Sequence, residues 1–171
     1  MVNIQIAAEQ LSEILKKQRA DYIEAHLEEN YTTGIGYLGK QLESVGKSTS
    51  IGGNVRALIK GGGGFVSVND LDNLKDKVAL AVRQARFVGK EKSQLAESAP
   101  VIKTVRPHIK EDPQKVSLTD KKRLMDEYND SVWGTKGIQT SVIGYSDSHK
   151  KTLFLNSEGS FISQERADVT L

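Results

Sequence analysis

The sequence has no cysteine, only three prolines and no long apolar run, and neither sign of charge dominates it. The absence of cysteine excludes disulfides and thiolate metal sites and suits a reducing cytoplasm. A net charge of +2 arises from 24 basic and 22 acidic residues spread along the whole length. No strong field is therefore available to draw in DNA, RNA or an anionic membrane, and the expected partners include no nucleic acid and no membrane. The first residues, MVNIQIAAEQLSEILKKQ, carry glutamates and lack both a basic start and a continuous apolar core, so they read neither as a signal peptide nor as a membrane span.

What is present is an ordinary balance, 37% hydrophobic and 27% charged over 171 residues, enough for one good core or two small ones. Ala7, Ala8, Leu11, Ile14 and Leu15 recur at helical spacing before the cations of KKQR, predicting a first helix. From Asp21 the period becomes two, with Ile23, Ala25 and Leu27 alternating with Tyr22, Glu24, His26 and Glu28. YTTGIGYLGKQLESVGKSTSIGGNVRALI continues as short β-rich runs broken at glycines, predicting two or three more antiparallel strands in a meander. A second helix is predicted from about Asp70 to Arg86, capped by Asn69 or Asp70, with Leu71, Leu74, Val78, Val82 and Ala85 on one stripe.

The stretch from Gly89 to Val116 has no period, holds all three prolines, and reads as a long connection. Ser117 with Asp120 resembles a capping box opening a third helix to about Asp130, its face formed by Leu118, Leu124, Met125, Tyr128 and Val132. The rest reads as three strands joined by turns at SDSHKK and NSEG. The last strand still alternates at Val169 and Leu171, the pattern expected of a piece of a longer protein. The fold class is α+β, a mainly antiparallel meander with three helices packed on it.

Possible sites are few. Gly34, Gly36 and Gly39 match G-x-G-x-x-G, but strand follows instead of helix, and Asn54 stands where an acidic residue is needed. Gly46, Lys47 and Ser48 resemble the tail of a P-loop, yet Gln41 occupies the partner glycine's place. The run Gly61 to Gly64 precedes another apolar strand-like stretch, so it reads as a hairpin turn rather than a phosphate cradle. His26 shares a strand face with Glu24 and Glu28, each about 7 Å along the strand, a conceivable zinc set but more simply a solvated face. His108 and His149 read as exposed, in the connection and in a turn. Arg83, Arg86, Lys90 and Lys92, and Lys121, Lys122 and Arg123, read as solvated helix faces. There is no H-E-x-x-H, G-x-S-x-G or nucleophilic cysteine.

The order ADYIEAHLEE, then GGNVRALIKGGGGFVSVNDL with a helix after it, and later LFLNSEGSFISQE, resembles the N-terminal region of the TldD/PmbA family, once called modulators of DNA gyrase. The specific parts are Gly52 to Arg56, Gly64 to Leu71 and Asn156 to Gly159. The resemblance implies zinc peptidase chemistry on small or unstructured peptides, such as peptide-toxin maturation, with a TldD-like subunit paired to a related one without zinc. The family carries its zinc on an H-E-x-x-x-H helix, with a cysteine further on, in its C-terminal half. None of that is in this sequence, so no catalytic, cofactor-binding or metal residue can be carried onto it, and zinc is expected in the full-length parent alone.

The reading implied is a non-catalytic N-terminal domain that helps to enclose the site and to form the subunit contact. Residues 1–88 would form one α+β subdomain, 89–116 the connection, and 117–171 a helix with strands. Its partners would be its own missing C-terminal domain, a homologous TldD/PmbA-type subunit and a peptide substrate. The alternatives are a PmbA-like subunit without zinc and a scaffold or gyrase-binding module.

Overall fold

A computed structural model describes residues 3–92 and 95–171; Ser93 and Gln94 of the expected connection lie outside the described residues. Among the described residues three helices and six strands make an α+β fold. Helix α1 (Ile4–Lys16) precedes strands β1 (Tyr22–Leu38), β2 (Gln41–Ile59) and β3 (Gly62–Val68), and helix α2 (Leu74–Val88) follows. A short strand β4 (Ile102–Val105) and a 3-10 turn (Pro113–Lys115) lead to helix α3 (Leu118–Trp133) and strands β5 (Val142–Asn156) and β6 (Phe161–Thr170). The sheet order is β3-β2-β1-β5-β6-β4, with β2 and β3 antiparallel and β4 parallel to β6. Among the described residues no helix is long and apolar enough to cross a membrane.

Three predicted boundaries move. The meander consists of two long strands, because Gly34 and Gly36 lie inside β1 and Gly46 inside β2 rather than at turns. SDSHKK is likewise the middle of β5, so the C-terminal part has two strands, joined only at NSEG. Helix α2 starts four residues later than predicted. Asp70 turns its carboxylate back onto the Asp72 N–H at 2.9 Å, and Asn73 then enters the helix in a left-handed conformation without a side-chain cap. The Ser117 cap stands as read: its Oγ accepts from the Asp120 N–H at 3.0 Å and donates to that residue's carboxylate at 2.6 Å.

The chain divides into two compact units. Unit 1 combines residues 1–29, 51–106 and 151–164, and unit 2 combines residues 30–50, 107–150 and 165–171. In unit 1, Leu11 and Leu15 of α1 and Val78 and Ala81 of α2 close over Ile23, Ala25, Val55, Val68, Leu153 and Leu155 of the sheet. Such fully buried leucines each cost about 2–5 kcal/mol to truncate. In unit 2, Met125 of α3 packs with Ile35, Tyr37 and Tyr145.

The face of α3 differs from the predicted one. Leu124 and Tyr128 are exposed, and Lys121, Met125 and Asn129 are buried. Lys121 goes inward because Asp147 waits there, with 2.5 Å between the charged atoms, and the Thr33 hydroxyl accepts a second bond at 3.3 Å. The Tyr145 ring lies 5.8 Å from the same ammonium.

Candidate functional site

The four-glycine stretch does form a hairpin turn, one residue earlier than its glycines suggest. Lys60 and Gly61 take φ of 47° and 75°, the paired positive values of a two-residue β-hairpin turn, and Ile59 faces Gly62. Gly62, Gly63 and Gly64 are already strand. There the lack of a side chain serves packing, because a Cβ on Gly64 would run into the carbonyl of Ala81 on α2. Helix α2 thus lies directly on the backbone of β3, and the Gln84 side-chain Oε1 accepts the Phe65 N–H at 3.0 Å.

Both helices of unit 1 sit on one face of its sheet and leave the other open. Tyr22, Glu24 and His26 of β1, Arg56 and Leu58 of β2, Phe65 of β3 and Phe154 of β5 occupy that open face, opposite the buried alternates. Two cavities meet at Tyr22 and Leu95. One, of about 480 Å³, runs over Glu24, Arg56 and Phe65; the other, of about 510 Å³, runs between Phe154, Asn156 and the segment Leu95 to Val101. Together they form a groove across the strands.

Its polar floor is tied together. The Tyr22 hydroxyl donates to one carboxylate oxygen of Glu24 at 2.8 Å and accepts from the Asn156 amide at 3.4 Å, and Arg56 donates to the other Glu24 oxygen at 3.1 Å. Burial, offset by the Asn156 hydrogen bond and reinforced by Glu24, pushes the Tyr22 hydroxyl up to about 12. The Asn156 side-chain Oδ1 holds the turn beneath, accepting from the N–H groups of Glu158 and Ser160 at 3.1 and 2.8 Å. Ser157 exchanges two bonds with Ile23, one from its N–H at 2.8 Å and one to its hydroxyl at 3.1 Å. The Asn-Ser-Glu-Gly motif is therefore the clamp that anchors β5 beside β1.

The other sequence candidates separate. Glu24 is engaged on both oxygens, and the exposed His26 ring lies 4.8 Å from Phe154. Among the described residues no three His, Asp or Glu side chains are gathered where they could hold a metal ion, so the residues present do not fit a zinc site. Gly39 is a turn residue with φ of 59°, and strand follows it. Arg83, Arg86, Lys90 and Lys92 are exposed as expected, as is His108. His149 is half-buried within β5 rather than in a turn, and Lys121 is no solvated cation. The groove itself was missed. Its one sequence signal was Tyr22, Glu24 and His26 alternating opposite buried residues.

A family model described as PmbA/TldA metallopeptidase domain 1 matches residues 24–86, and one described as PmbA/TldA metallopeptidase central domain matches residues 111–171. The chain belongs to the PmbA/TldD family. A metalloprotease of Synechocystis is 37% identical over 150 residues, covering 86% of this chain and 32% of that protein. A metalloprotease of Methanothermobacter thermautotrophicus is 23% identical over 157 residues, covering 91% and 34%. The chain thus spans about a third of the length of the curated relatives it matches.

Similar folds include a Thermotoga maritima protein called a modulator of a DNA gyrase, with a TM-score of 0.74 and 14% identity over 98% of this chain and 38% of that one. A protein of the same description from Bacteroides thetaiotaomicron gives 0.76 and 16% over 95% and 38%. TldE from Thermococcus kodakarensis gives 0.72 and 14% over 95% and 37%. At these identities the likeness shows the fold.

Proposed function

We propose that these residues form the non-catalytic N-terminal part of a PmbA/TldD zinc metallopeptidase, in which they help to enclose a small or unstructured peptide and contact a related subunit. In this reading residues 1–88 and 117–171 are successive parts joined by the connection 89–116, and zinc and the hydrolytic groups belong to another part of the longer protein. The groove of unit 1 is the observation that carries it. An extended peptide has apolar places to rest at Phe65, Phe154 and Leu95, and its amides can meet Glu24, Arg56 and the Tyr22 hydroxyl between them.

Fluorescence anisotropy of a labelled unstructured peptide tests the reading. Expected is saturable binding that Phe65→Ala together with Arg56→Ala weakens at least about tenfold, as for loss of central contacts, with no cleavage by this chain. Elemental analysis after zinc loading and dialysis should find no zinc retained. One tightly held zinc per chain, or binding indifferent to both substitutions, overturns it.

The gyrase-modulator names of two structural relatives favour a second reading, a scaffold or gyrase-binding module. Duplex binding steepening as salt falls would support that reading; the near-balanced charge argues for weak or no binding at physiological salt. Within the family, a PmbA-like subunit without zinc remains the alternative parent.

A further inference from the structure

Strand β2 is longer than its neighbour on one side. β3 pairs only with Gly53–Ile59, and the neighbours of β2 in the sheet are β3 and β1. Among the described residues, Gln41–Ser50 therefore has no strand on its β3 side, and all ten of these residues are exposed, Leu42 at 38% and Val45 at 44%. The edge of β3 itself is guarded, because α2 lies on it and Gln84 takes the outward Phe65 N–H. No such cap covers Gln41–Ser50, which contains no proline and whose only charges are Glu43 and Lys47. An edge of this length with free backbone groups is a template for another strand.

We propose that Gln41–Ser50 pairs antiparallel with the same segment of a second copy of this chain, about a two-fold axis at Val45. This extends the subunit contact of the function proposed above from a related subunit to an identical one, and rests on that part of it. Two features select a second copy as the occupant.

The first is backbone phase. Beside the two-residue turn the pair Ile59↔Gly62 is hydrogen-bonded, so odd-numbered residues of β2 point their N–H and C=O groups to the β3 side. The alternation holds along the strand. Glu24 meets Arg56, and Thr32 meets Ser48 at 2.6 Å; a Cβ on Gly36 would stand 2.9 Å from the Ser44 hydroxyl, which keeps Ser44 on the face of Ser48. Val45 thus directs its N–H and C=O to the open side, where Val45 of a second copy can exchange both bonds with it.

The second is charge. With Val45 opposite itself, residues two before and two after face each other across the axis. Glu43 of each copy then meets Lys47 of the other, and both pairs are opposite in sign. A two-fold contact of this kind closes on itself and stops at two copies.

Sedimentation equilibrium of the full chain over a range of concentrations tests this. The unaltered chain should form a reversible dimer. Glu43→Lys and Lys47→Glu each turn both cross-pairs repulsive and should weaken it on the order of tenfold. The double variant, or an equimolar mixture of the two single variants, should restore it, which a merely destabilised fold would not do. Val45→Pro should abolish the dimer yet melt where the parent melts, since proline is tolerated where the N–H faces outward; loss of its fold would overturn the register. A dimer indifferent to all these changes overturns this surface but leaves the subunit contact standing elsewhere. A chain monomeric at every concentration overturns this self-pairing and leaves the contact with a related subunit standing.

Discussion

The Lys121 ammonium stands 2.5 Å from a carboxylate oxygen of Asp147, with 3% and 4% of the two side chains exposed. Two charges so enclosed hold each other in place, and removing one strands the other away from water. Lys121→Met alone, or Asp147→Leu alone, should lower unfolding free energy by about 3–5 kcal/mol. The double replacement should cost clearly less than either single one, because no charge is then left buried. Denaturant midpoints of the three variants measure the difference, and additive losses would contradict it.

Gly64 and Gly63 should differ sharply although they are neighbours. A side chain at Gly64 meets the Ala81 carbonyl, while a Cβ at Gly63 has nothing within 4 Å. Gly64→Ala should therefore cost about 1–3 kcal/mol by forcing α2 off the sheet, and Gly63→Ala should be neutral or stabilising by a few tenths, about 0.4–1 kcal/mol at most. Thermal unfolding of both variants distinguishes this close approach from turn strain, which is confined to Lys60 and Gly61.

Alkaline titration should find hydroxyls that ionise late. Tyr22 is pushed to about 12, and Tyr37 and Tyr145 are also raised, each by burial first and then by Asp126 and Asp147. A raised value means that the folded form keeps its proton longer, so the stability Tyr22 contributes is full below pH 10.0 and declines as pH rises through about 12. Tyr22→Phe should remove one late phenolate signal in the ultraviolet and flatten the loss of stability over that interval. An unchanged profile would place the Tyr22 hydroxyl in water.

Ser117→Ala should weaken the start of α3 by about 1 kcal/mol, the usual worth of a lost N-terminal cap. Ser117→Asp should restore most of it, since a carboxylate can accept the same Asp120 N–H. Circular dichroism during denaturation reports both.

Periodic stretches were legible in the sequence because burial alone decides them. Ala7, Leu11 and Leu15 of α1 and Ile23, Ala25 and Leu27 of β1 are buried as their spacing indicates. The errors fall where a distant partner overrides the local signal. Lys121 lies among Lys122 and Arg123 and looks solvated, yet Asp147, 26 residues further on, draws it inward; SDSHKK becomes strand instead of turn because β5 has β1 and β6 as neighbours in the sheet. Gly34, Gly36 and Gly46 look like breaks but lie in long strands, where the neighbouring strands supply the order that glycine lacks. The groove escaped for another reason: its walls come from β1, β2, β3, β5 and the connection, and no contiguous motif spells them.

Unit 1 is assembled from residues 1–29, 51–106 and 151–164, and its last clamp joins Ile23 to Ser157, 134 residues apart. During synthesis Leu153 and Leu155 can enter the core that α1 and α2 cover only after they have left the exit tunnel, long after both helices have emerged. Until then their apolar faces have only part of a sheet to rest on. Contacts so far apart in sequence are slow to close, and surface left open in the meantime invites wrong neighbours. The nascent chain should therefore stay sensitive to protease until the NSEG turn has left the exit tunnel, and become resistant in one late step.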